Sequence, residues 1–383
     1  MRWGSAQEAG FRPDALDRAF AVVAGRSGGR EVPGAVAAVG RGAVAVGPRA
    51  FGWAVFAPED ARALARPDTV FDLASLTKVV GTATAIWRLI EDGRLSLGDR
   101  LADLLPAFAE APQGEPAGWR RAVTVRHLLT HTSGLPAGRD LAQVVGDRVA
   151  RLRACAGTAL EARPDERCRY SDIGFILLGW LVEEIARESL DAFCRRECFL
   201  PLGMVDTGWC PGPAVAARAA ATEWAASESA SGYLRGRVHD ENARSLDGLA
   251  GHAGLFSTCA DLAVFASALL AGGTGQGPGQ PPYRLLARAS VARLHERAVE
   301  GDEASRTYGW QGSGRRGGPY GDLWSGQAFG HTGFTGTSLW IDPAQDVWMI
   351  LLSNAVHMGR RVGLPAMGPL RTYFHNAVIA ALV

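Results

Sequence analysis

Of the 40 basic residues in this chain of 383, 39 are arginine and one, Lys78, is lysine. Arginine keeps its proton in a protein, whereas a buried lysine can fall from about 10.4 toward neutrality and serve as a base. Ser75 stands three positions before Lys78. The stretch Thr69–Ala74 has no helical periodicity. It gives way to an apolar face of Leu76, Val79, Val80, Ala83 and Ile86 that runs on to Glu91. That pattern predicts Ser75 at a helix start, with Lys78 on the same face and drawn into the interior, and argues against a chance pair on a solvated helix. A neutral amine so placed can take the proton of a hydroxyl that is a poor nucleophile by itself. The first N–H groups of the helix would face charge developing on a carbonyl oxygen. The chemistry to expect is acyl transfer through Ser75.

Such a pair must be held by a folded core. With 47% apolar residues the chain can bury one of considerable size. Pro13 opens a helical pattern through Leu16, Phe20 and Val23 that ends in the glycine-rich Arg26–Arg30. Val32–Val39 and Ala43–Val55 read as a hairpin broken by Gly40 and Gly42. Thr337–Ile341 and Val347–Leu352 read as a second, around the turn Asp342–Gln345. Between these ends the patterns are helical: Leu76–Glu91, Val125–Leu129, Ile173–Arg187, Leu190–Arg196, Leu262–Leu270 and Ala287–Arg297. Met367–Leu382 closes the chain with another. The fold class expected is α/β (α+β), an antiparallel sheet flanked by helices with a large helical insertion. Residues 1–70 and 305–383 would build an α/β lobe and residues 71–304 a mainly helical one, with the active site at the seam. Gly272–Pro282 is the single low-complexity stretch and reads as a flexible surface loop.

Two further motifs follow in order, Tyr170-Ser171-Asp172 before the apolar Ile173–Gly179, and His331-Thr332-Gly333. With Ser75-Leu76-Thr77-Lys78 they resemble the three motifs of the serine β-lactamase and penicillin-binding protein superfamily, within it the class C β-lactamase-like hydrolases that include carboxylesterases and D-amino-acid peptidases. Val125–Leu135 and Gly251–Thr258 look like the same family, so the resemblance runs from about Val32 to Asn354. It implies a β-lactamase/transpeptidase-like fold in which Ser75 is acylated, Lys78 is its base and Tyr170 relays a proton to or from the leaving group. The backbone N–H groups of Ser75 and Phe334 would form the oxyanion hole, and Asp172, His331, Thr332 and Gly333 would bind substrate.

Two positions depart from the family pattern. Asp172 replaces an amide, and an ionised carboxylate only accepts hydrogen bonds, which suits a substrate bearing a donor; it could equally cap the helix beginning near Ile173. His331 replaces a permanently charged amine, and neutral imidazole binds a carboxylate poorly above about pH 6.5. Both favour an esterase or D-amino-acid-type peptidase, with β-lactamase or D,D-carboxypeptidase as the alternative.

Remaining features exclude other classes. A net charge of +1 without long single-sign runs points to a small ester, amide or peptide as partner, and to neither nucleic acid nor membrane, leaving the oligomeric state open. Cys155, Cys168, Cys194, Cys198, Cys210 and Cys259 are too irregular for a disulfide framework or a zinc site and read as reduced. His239-Asp240-Glu241-Asn242 carries ligand-type side chains, but consecutive residues rarely converge on one ion. It reads as a polar loop near the cleft, and no metal or other cofactor is expected. His127, His131 and His252 are assigned no chemistry. Met1–Ala24 has no leader-like pattern, so the sequence as given predicts a cytoplasmic protein.

Overall fold

A computed structural model describes residues 1–383 except 117, 225–231, 278, 301–304 and 314–319. Both expected hairpins form, as Gly34–Arg41 with Val44–Val55 and Ser338–Asp342 with Val347–Ser353. Asp342 Oδ1 accepts from the N–H groups of Ala344 and Gln345 and so shapes the second turn. Gly34–Arg41 and Val347–Ser353 pair antiparallel with each other at the centre of the main sheet. Beyond Ser338–Asp342 the sheet continues through Phe329–Thr332, Gln311–Gly312, Ser305–Arg306 and Val299–Glu300.

The central strands are apolar throughout because helices cover both of their faces. Side chains alternate between two cores. Ala35, Ala37, Val39, Met349 and Leu351 pack with Leu16, Phe20, Leu370 and Phe374 of helices Pro13–Arg26 and Arg360–Ile379. Val36, Ala38, Ile350 and Leu352 face the larger core, which holds helices Asp172–Ala186 and Cys259–Leu270.

Three expectations change in detail. The helix after Ser75 is interrupted, because Lys78–Ala83 is wound as a π-helix before α-helix resumes over Thr84–Glu91, a distortion common at functional sites. The last helix begins at Arg360, seven residues before the expected start, and contains Pro365 and Pro369. In the glycine-rich loop, Thr274–Gly275 pairs with Tyr283–Arg284, and a Cβ at Gly277 would lie 1.9 Å from the Leu202 carbonyl. The loop is thus packed against the body rather than free, with Pro278 outside the described residues.

Candidate active site

Ser75 is placed by the residue before it. Ala74 adopts φ +47°, the left-handed region that costs a non-glycine residue about 1–3 kcal/mol. Its N–H donates to Asp72 Oδ1 at 2.9 Å, and Asp72 Oδ2 accepts from the His239 N–H at 2.6 Å. The carboxyl is buried between them, and burial pushes it above its ordinary value. Strand Val70–Asp72 pairs with Leu255–Thr258, which leads directly out of the Gly251–Gly254 turn. A Cβ at Gly251 would lie 2.1 Å from the Phe175 carbonyl, and only glycine lets that turn press onto helix Asp172–Ala186. The result is that the His252 carbonyl arrives beside Lys78.

Lys78 has no exposed surface. Its Nζ lies 3.0 Å from Ser75 Oγ, 2.9 Å from the His252 carbonyl and 2.8 Å from Asp172 Oδ1. Its Nζ is 4.9 Å from the centre of the Tyr170 ring. Burial alone would lower the amine, but the Asp172 charge and Tyr170 more than offset it and hold Lys78 above its ordinary value.

The Tyr170 segment is oriented by His131, whose Nδ1 accepts the Ser171 N–H at 3.0 Å and whose ring lies 4.6 Å from that of Tyr170. Ser171, not Asp172, caps the following helix: its Oγ accepts from the Gly174 N–H. The capping reading of Asp172 is therefore corrected. Asp172 is the first helical residue, and its carboxylate turns to Lys78 instead.

The facing wall is strand Phe329–Thr332. A Cβ at Gly333 would lie 2.0 Å from Thr337 Oγ1 and 2.4 Å from the Leu73 carbonyl, so the glycine allows this strand end to lie against the Ser75 segment. Thr335 Oγ1 donates to the Asp72 carbonyl at 2.7 Å and Thr337 Oγ1 to the Leu73 carbonyl at 3.0 Å. These bonds tie the turn that carries Phe334 to the segment before Ser75, and neither the Ser75 nor the Phe334 backbone N–H has an acceptor among the described residues. Thr332 is half-buried next to them.

His331 is buried, and burial, with Arg306 and Lys78 nearby, lowers it to about 3. Its Nδ1 must donate to the Thr332 carbonyl at 2.7 Å, which leaves Nε2 a bare acceptor without a partner among the described residues. A lone pair there repels a carboxylate.

A cation that the sequence reading missed stands beside it. The Arg306 guanidinium lies 5.1 Å from the centre of the Tyr170 ring, is 8% exposed and has no acidic partner among the described residues. It is one arginine of 39, in no local motif; the only hint of it was the missing charge at 331. Arg371, also overlooked, donates from the last helix to the Gly333 and Thr337 carbonyls at 3.2 and 2.9 Å, and burial lowers it to about 10.

The polar run at 239–242 is spent internally. Asp240 caps helix Glu241–Ser245 and its Oδ1 lies 2.8 Å from His252 Nε2, while His239 Nε2 lies 3.0 Å from Glu223. Asn242 Oδ1 accepts from the Leu141 N–H. All six cysteines carry free thiols. Among the described residues no helix is long and apolar enough to cross a membrane.

Comparison with known proteins identifies the family and the fold. The profile of the β-lactamase family matches residues 19–368. An Escherichia coli (strain K12) protein named provisionally as a D-alanyl-D-alanine carboxypeptidase is 33% identical over 315 residues, covering 76% of this chain and 70% of that protein. Among solved structures, a penicillin-binding protein homologue from Caulobacter crescentus superposes with a TM-score of 0.76 at 23% identity, covering 97% of this chain and 99% of that one. EstCE1, described as a hydrolase with promiscuous acyltransferase activity, superposes with a TM-score of 0.72 at 21% identity, covering 94% and 98%.

Proposed function

Since this chain belongs to the β-lactamase family and is a serine hydrolase of that fold, we propose that it cleaves the last peptide bond of substrates ending in a D-residue with a free carboxylate. Ser75 Oγ attacks the scissile carbonyl as Lys78, in its neutral form, takes the hydroxyl proton. The N–H groups of Ser75 and Phe334 stabilise the oxyanion. Collapse breaks the C–N bond, and the Tyr170 phenol protonates the departing amine and is reprotonated from Lys78. Water then attacks the acyl-enzyme by the same route reversed. The site lies at the seam between the sheet lobe and the helical insertion.

The observation that carries the substrate class is Arg306, a guanidinium over the Tyr170 ring without an acidic partner among the described residues. It restores the positive charge absent at His331 and could engage a carboxylate in two parallel hydrogen bonds. The name given to the Escherichia coli relative supports the same class.

The test compares an N-acylated peptide ending in D-Ala-D-Ala with its C-terminal amide. The free acid should be preferred by about 10- to 100-fold in kcat/KM, as expected for a charged hydrogen bond of about 1.5–3 kcal/mol, and Arg306→Gln should erase the preference. Equal rates on acid and amide would refute the carboxylate assignment. Rapid hydrolysis of a chromogenic cephalosporin with no peptide turnover would place the enzyme with the β-lactamases.

A further inference from the structure

The partners of Lys78 divide into two kinds. The His252 carbonyl, which accepts an N–H at 2.9 Å, and the Asp172 carboxylate, whose Oδ1 forms an ion pair with Nζ at 2.8 Å, are acceptors only, so the amine can meet them only with its N–H side. The other two, Ser75 Oγ at 3.0 Å and the phenol of Tyr170, whose ring centre is 4.9 Å from Nζ, are hydroxyls that can donate or accept. A neutral amine has two N–H bonds and one lone pair. With both N–H bonds committed to the acceptors, the lone pair is left for the hydroxyls; an ammonium turns its third N–H to the same place. We propose that Asp172 is the counter-ion of the catalytic base, orienting the Lys78 lone pair toward Ser75 and storing the Ser75 proton as a buried ammonium–carboxylate pair. The proton then leaves through Tyr170. This deepens the reading above and rests on its roles for Ser75 and Lys78.

The surroundings suit such a pair. Asp172 Oδ1 is buried although the side chain as a whole is 32% exposed, so the oxygen facing Lys78 is the dry one. From the loop at 240–252, Asp240 is the next carboxylate, and it is engaged by His252 Nε2 at 2.8 Å. His131 and His331, facing the same space from the helical and sheet sides, are both held neutral by burial. Arg306 stands across the Tyr170 ring. Asp172 is therefore the anion in direct contact with the amine. The amide found here in the family pattern could orient Lys78 equally well but brings no charge. A carboxylate delays loss of the lysine proton to higher pH, so kcat/KM should climb with pH into the alkaline range.

The decisive measurement is the pH profile of kcat/KM for p-nitrophenyl acetate, an acyl donor without ammonium or carboxylate, so that substrate recognition by Asp172 or Arg306 does not enter. Asp172→Asn should move the acid limb to lower pH by about one pH unit or more, because burial then dominates the lysine. At pH values well below the limb the variant should outpace the parent, about tenfold for each pH unit by which the limb has moved. Asp172→Glu, keeping the charge, should keep the parental limb. Should the asparagine variant not fold, Asp172→Ser removes the same charge at a helix start that tolerates serine and should move the limb equally. An unchanged limb in a folded neutral variant, or an equal displacement in Asp172→Glu, overturns the proposal. Turnover retained in Ser75→Ala would instead strike at the nucleophile.

Discussion

The two walls of the cleft treat charge in opposite ways. On the helical wall Lys78 lies against Asp172, and Asp240 is engaged by His252. On the strand wall Arg306, and Arg371 reaching it from the last helix, have no acidic partner among the described residues, and His331 is kept neutral. Burying an unpaired cation costs several kcal/mol, so such groups persist where something else gains from their field. On the proposed mechanism, the helical wall would conserve charge while a proton moves within it. On the same proposal, the strand wall would offer positive potential to a negative group arriving from outside, whether an oxyanion or a substrate carboxylate.

Breaking the helical wall should have the largest effect. Ser75→Ala should lower hydrolysis of p-nitrophenyl acetate by about 10⁴-fold or more, since the acyl-enzyme can no longer form. Lys78→Arg keeps a cation but removes the base, and should cost about 10²- to 10⁴-fold in kcat on the same ester, with folding checked by circular dichroism. A rate within about twofold of the parent would refute the base role.

Breaking the strand wall should be milder and of a different kind. Arg371→Met removes one of two donors to each of the Gly333 and Thr337 carbonyls, which keep the N–H groups of Gly336 and Gly333, at a cost of about 0.5–1.5 kcal/mol for each bond lost, and Tm should fall accordingly. Because these carbonyls flank Phe334, kcat should fall as well while the pH profile keeps its shape. Arg306→Gln, by contrast, should leave Tm and the p-nitrophenyl acetate rate near parental values and weaken only the carboxylate-bearing peptide.

Acid strains buried histidines on both walls. His331 is lowered to about 3 and His375 to about 4, and His131 well below its ordinary value, each by burial of the neutral ring. The unfolded chain takes up these protons near pH 6.5 and the folded one does not. The contribution is complete above about pH 6.5 and is lost as pH falls toward 4 and then 3. Thermal unfolding followed from about pH 7.5 to 4 should show Tm declining by several degrees. His331→Gln should flatten part of that slope without moving the kinetic acid limb, because His331 stays neutral throughout the working range.

Much of the site was legible because its parts are local. Ser75 and Lys78 fall on one face by helical spacing, and the apolar positions around them announce burial. The Tyr170 and His331 motifs are short strings whose order along the chain survives any folding. The hairpins at each end were visible for the same reason, as alternating apolar runs beside turn residues. What misled was also local. Asp172 looked like a cap, yet Ser171 one residue earlier does that work. Proline at 365 and 369 hid the start of the last helix, and the glycines at 273–277 resembled slack although three of them are required by close packing against Leu286, Ala268 and Leu202.

By itself, then, the amino-acid sequence placed the candidate groups: one lysine, a serine three residues before it, and a tyrosine and a glycine-ended strand in the family order; the expected lowering of that lysine by burial is reversed by Asp172 and Tyr170. Tertiary structure decided the charges around that chemistry. Arg306 and Tyr170 are 136 residues apart, and Asp172 meets Lys78 across 94. Electrostatic interaction depends on distance through space and on burial, and neither is encoded in any window of the chain.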